Sequence, residues 1–105
     1  MVKTSKRLEF LLAMAPSTVD PMVGYGIAME YRSLERYDEA LAAFADLRAR
    51  APAYVPMYLM CGLMLDHMGR TEDAREWFTA GVDAARARGD AHAANELEDA
   101  RRALA

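Results

Sequence analysis

The run Arg36-Tyr37-Asp38-Glu39-Ala40-Leu41-Ala42-Ala43-Phe44 is echoed 34 positions later by Arg70-Thr71-Glu72-Asp73-Ala74-Arg75-Glu76-Trp77-Phe78. Each opens on arginine, sets two acids before an alanine, and places a phenylalanine one helical turn further on. A period of this length, at helical spacing, points to stacked helical hairpins. Each hairpin leaves one apolar face that only a neighbour can bury. Aligning 21–54 with 55–88 gives five identities: Arg36/Arg70, Ala40/Ala74, Phe44/Phe78, Ala51/Ala85 and Ala53/Ala87. The residue types carry more information than the identities. Ile27-Ala28 stands opposite Cys61-Gly62, an apolar residue followed by a small one, and Tyr31 stands opposite Leu65.

These positions have packing reasons. Small residues at Ala28, Gly62, Ala40 and Ala74 allow two helices to approach closely, and Phe44 and Phe78 fill the space beside them. Burying such a ring contributes about 1.5–3 kcal/mol. Asp38, Glu39, Glu72 and Asp73 fall in the first turn of each second helix, where the dipole favours negative charge.

The punctuation predicts six helices. The first spans roughly residues 3–15 and is broken by Pro16-Ser17-Thr18. Asp20 caps a second, which has Pro21 in its first turn and reaches about Leu34. A third covers about Tyr37 to Arg50 and stops at Ala51-Pro52, because the residue before a proline is pushed out of helical geometry. Pro56 opens a fourth that ends near Met68-Gly69. Thr71 is expected to cap a fifth, about 72–87, closed by Gly89. Asp90 caps the last, which runs to about Leu104. No segment shows sustained period-two alternation, so no strand is expected. The short joints make neighbouring helices antiparallel.

At these residues the chain resembles the tetratricopeptide repeat family, whose period is 34 with a small–Tyr–Ala–Phe–Pro pattern. The second copy matches through Tyr58, Gly62, Gly69, Ala74, Phe78 and Gly81. The first matches through Ala28, Tyr31, Tyr37-Asp38-Glu39-Ala40, Phe44 and Pro52. Four positions depart from the pattern: Gly24 replaces a large aromatic, Glu35 a glycine, Leu47 an alanine and Arg86 the closing proline. The last departure predicts a longer fifth helix. The resemblance implies an all-α fold, with antiparallel hairpins stacked as a short right-handed α-solenoid. Its expected parts are an N-terminal capping helix and linker (1–20), two repeats (21–54 and 55–88) and a C-terminal capping helix (89–105). The capping helix would bury Leu97 and Leu104 on one side. Eleven of the 13 basic residues are arginine, which suggests a high-GC bacterial source.

In this family the first helix of each hairpin lines a concave groove. The residues expected there are Met22, Tyr25, Met29 and Ser33, then Pro56, Leu59, Met60, Leu63 and His67, with Arg32 and Asp66 at one end. That surface is mostly apolar, and the helix over 56–68 is apolar almost all round. Its methionines, Met57, Met60, Met64 and Met68, suit either an adaptable contact or a core. The expected ligand is a protein or peptide segment, apolar or amphipathic, so the function implied is that of a scaffold or adaptor. Two alternatives stand beside it: self-association through the same apolar face, or a small chaperone masking an apolar client. Some family members clamp the carboxylate of chaperone tails with cationic and amide side chains. Here Tyr25, Met29, Met60, Asp90 and Ala94 stand at the matching places, so that mode is not expected.

No chemistry of another class emerges. Net charge is −3 and pI about 5.3, with no basic stripe for nucleic acid or anionic lipid. Cys61 is the only cysteine, which permits no intrachain disulfide and fits a reducing, cytoplasmic setting. It lies about 120° around the helix from His67, so the two form no dyad, and Cys61 reads as a small buried hydrophobe. Two histidines without paired spacing, His67 and His92, do not suggest a metal site. No Gly-rich phosphate loop is present, and no enzyme activity or cofactor is expected. The start, with Lys3, Lys6 and Arg7 before Phe10–Ala15, imitates a leader, but Glu9 interrupts it and Pro16 would follow the cut. No run approaches the ~20 apolar residues that span a membrane.

Overall fold

The computed structural model describes residues 2–105. Its helices are α1 (Lys6–Met14), α2 (Pro21–Ser33), α3 (Tyr37–Arg50), α4 (Pro56–His67), α5 (Thr71–Ala87) and α6 (Ala91–Arg102), with a 3₁₀ turn at Ala15–Ser17. Among the described residues there is no strand. The chain forms two compact units, one ending at Ala51 and one spanning Pro52–Ala105.

In the first unit α1 starts later than the expected residue 3, because Ser5 is its cap: the Leu8 N–H donates to Ser5 Oγ at 3.0 Å. Pro16 is absorbed by the 3₁₀ turn, which needs no N–H from it. Asp20 caps α2 as expected, accepting from the Met22 N–H at 2.9 Å, with Pro21 in the first turn. Leu8, Val23 and Ile27 form the core, and Leu11, Met14, Tyr31, Leu34 and Ala43 pack on it. Ala28, Ala40, Phe44 and Leu47 are fully buried along the α2–α3 hairpin. The helix join is a left-handed closure, in which the Arg36 N–H reaches the Tyr31 carbonyl (2.9 Å) and the Glu35 N–H the Arg32 carbonyl (3.0 Å). The left-handed residue is Glu35, at φ 58°.

The second unit repeats the hairpin as α4–α5 and adds α6. Ala74 and Phe78 are completely buried. Gly62 lies against the Phe78 ring so closely that a Cβ there would sit 2.3 Å from it. Here the join closes through Gly69 at φ 77°, with the Arg70 N–H on the Leu65 carbonyl at 2.8 Å. That closure sets Arg70, not Thr71, at the cap position. Thr71 is the first helical residue, and no side chain caps α5. The helix does run longer than its counterpart, 17 residues against 14, since Arg86 stands where a proline would end it. Asp90 caps α6 by accepting from the Ala93 N–H at 3.0 Å. Leu97 is buried at 1% exposure, and Leu104, beyond the helix end, is half-buried. Arg86 on α5 pairs with Glu98 on α6, and Arg102 meets the same carboxylate from one turn further along α6.

Candidate functional site

Helix α4 separates its side chains sharply. At about 100° per residue, Met57, Tyr58, Cys61, Gly62, Met64 and Leu65 share one side, and all six are buried. Pro56, Leu59, Met60, Leu63, Asp66 and His67 share the other side, and none of them is buried. Leu63 is 40% exposed, a large fraction for a leucine on a helix otherwise rich in core residues. The sequence left open whether the methionines were core or surface, and the fold divides them. Met57 and Met64 are core, and Met60 and Met68 are half-buried. Cys61 is buried and in no disulfide.

The buried side is built by local size matching. Tyr58 packs over Gly81, where a Cβ would lie 2.5 Å from the tyrosine Cβ. Its ring meets Trp77 at 5.9 Å between centroids, and its hydroxyl donates to the Pro52 carbonyl at 2.5 Å. These contacts hold α4 in rotation and fix which side chains stay open.

Helix α2 is divided the same way. Val23, Ile27 and Ala28 are buried. Met22 and Ser33 are exposed, and Tyr25, Met29 and Arg32 are half-buried on a continuous side of the helix. Met22 is 66% exposed. Among the described residues, no three His, Cys, Asp or Glu side chains converge as metal ligands would.

One arrangement escaped the sequence reading. Arg36 grips Glu39 with both arms of its guanidinium, donates to the Lys3 carbonyl at 2.7 Å, and lies 4.8 Å from the Tyr31 ring centre. The hydrogen bond from Arg36 holds the Glu39 carboxyl below its ordinary range, and the same bond pushes the guanidinium up. At the equivalent place Arg70 Nε donates to Asp73 at 2.8 Å. The recurrence of arginine with an acid three residues on was the available signal.

Two solved structures of tetratricopeptide repeat domain protein from Salinibacter ruber are similar to this chain. The solution structure shares 32% identity over 79% of this chain and 84% of its own, with a TM-score of 0.75. The crystal structure shares 33% over 78% and 91%, with a TM-score of 0.71. The chain belongs to the tetratricopeptide repeat family. A third neighbour in fold, a protein from Bordetella parapertussis solved in solution, is similar over more of the chain: 94% of it and 87% of its own length, at 27% identity and a TM-score of 0.79. No family model and no curated protein matches the chain. The tetratricopeptide repeat fold is, in general, that of a protein-interaction module.

Proposed function

We propose that this tetratricopeptide repeat protein is a non-catalytic adaptor that binds an apolar or amphipathic protein segment. The open side of α2 in the first unit and that of α4 in the second are each, taken by itself, a contact surface. One observation carries this reading. The six core residues of α4 satisfy its packing, yet Leu59, Met60 and Leu63 are placed on the other side, where water reaches them. Full burial of such a side chain is worth about 1.5–3 kcal/mol, and a bound apolar segment would recover the fraction that the half-buried Leu59 and Met60 and the exposed Leu63 leave to water. Met60 supplies a flexible thioether that adjusts to its partner. Asp66 and His67 give a polar end to the same side, which orients a ligand. The single cysteine, buried and in no disulfide, accords with a cytoplasmic site of action. No helix among the described residues is long and apolar enough to cross a membrane.

The test is the pair of substitutions Leu59→Ser and Leu63→Ser, with the immobilised chain exposed to lysate of its own cell. Proteins held by the unaltered chain should be lost from the variant, while its melting temperature scarcely moves. Substituting the buried Met57 by alanine should instead cost about 2–5 kcal/mol of stability. Retention of the same proteins by the serine variant would end this assignment. If light scattering shows a concentration-dependent dimer that the serine pair abolishes, the face is a self-contact instead.

A further inference from the structure

Ser5 performs two tasks with one hydroxyl. Its oxygen accepts the Leu8 N–H and so caps α1, and its proton goes to Glu30 Oε1 on α2 at 2.9 Å. The other oxygen of Glu30 faces Arg7 Nε at 3.5 Å. A single carboxylate on α2 thereby governs the start of α1. Further along, Arg36 takes the Lys3 carbonyl at 2.7 Å. The apolar side of α1 is thin: Leu8 is its only fully buried residue, while Phe10 and Leu12 face water at 66% and 43% exposure. A nine-residue helix is too short to persist alone in water, where about 12–15 residues are needed even for good helix formers.

We propose that α1 is a lid that folds only while docked, with the Ser5–Glu30 contact as its latch. When the latch opens, α1 loses its cap and its anchor together, so it melts rather than swinging away intact. Melting uncovers the strip of α2 beneath it, Val23, Ile27 and Tyr31, with Gly26 now seated against Leu11. The α2–α3 hairpin keeps its own buried contacts at Ala28, Ala40, Phe44 and Leu47, so the lid opens without the hairpin.

Native-state hydrogen exchange on the full chain tests this. Amides of residues 9–14 should exchange faster than those in the middle of α3 and α5. Ser5→Ala and Glu30→Ala should each speed exchange at 9–14 by about five-fold or more, the factor a lost cap implies, with α3 and α5 unchanged. Ser5→Thr, which keeps both acceptor and donor, should exchange like the unaltered protein. Three results would overturn the lid: unchanged exchange at 9–14 in both alanine variants, one common rate for α1 and α3 in the unaltered protein, or an equal acceleration of α3 and α5.

Discussion

The α2–α3 and α4–α5 hairpins share one spacing and are filled in opposite senses. In the first, the small residue is on the leading helix and the large one on the second: a Cβ on Gly24 would meet Leu47 at 3.2 Å. In the second, Tyr58 and Gly81 occupy the same two positions with the sizes exchanged. Two departures from the family pattern, Gly24 and Leu47, are thus one compensated pair. The template preserves summed volume across the helix contact rather than residue identity, because close-packed interiors are sensitive to volume at each contact. The joins differ too. Gly69 takes the left-handed turn freely, whereas Glu35 takes it against the steric preference of an L-residue.

The sharpest way to break this comparison is to write one hairpin's solution into the other. Gly81→Leu should cost at least about 1–3 kcal/mol, because Tyr58 already fills that space. Adding Tyr58→Gly should return part of the loss, leaving a coupling of about 0.5–3 kcal/mol in a double-mutant cycle of urea midpoints. Strict additivity would show that the two positions are not a pair. Gly62→Ala, which copies Ala28 from the first hairpin, should destabilise by about 1–3 kcal/mol through the Phe78 ring. A neutral result there would mean that the ring moves aside cheaply.

Smaller effects sharpen the contrast at the joins. Glu35→Gly should stabilise by about 1 kcal/mol and Gly69→Glu should destabilise by a similar amount, both read from urea midpoints at constant slope. Equal and negligible shifts would mean the left-handed turn costs Glu35 nothing. The smallest effect concerns pH. Glu39 is held below its ordinary value of 4.5 by Arg36, so its contribution is present above that value and fades as pH falls through the depressed one. Arg36 stays charged throughout that range. The stability difference between the unaltered protein and Glu39→Gln should therefore be flat from neutral pH to about 4.5, then shrink in acid. A difference that grows in acid would contradict the pairing.

Most of the helix map was legible in local chemistry. Pro21, Asp20, Pro56, Gly69, Gly89 and Asp90 start or stop helices by their own backbone limits or by hydrogen bonds within a few residues, and α3 occupies the anticipated Tyr37–Arg50. The miss at Thr71 arose because the preceding turn sets the cap position, and the closure through Gly69 places Arg70 there. The start of α1 was misplaced because Ser5 is secured by Glu30, a residue far along the chain.

The candidate surface was legible as a list of positions but not as a division of helix α4. Leu, Met, Cys and Tyr surround that helix, so its sequence offers little contrast between a buried and a wet side. The sequence by itself determined that the chain repeats, where its helices break, and which small and aromatic residues belong between them. Those properties depend on period and backbone chemistry. Only the tertiary structure decided that Met57 and Met64 are core while Leu63 meets water, and that Tyr58 answers Gly81. Those outcomes depend on how α4 is rotated, which is set by volumes meeting across helices, and no local signal encodes that.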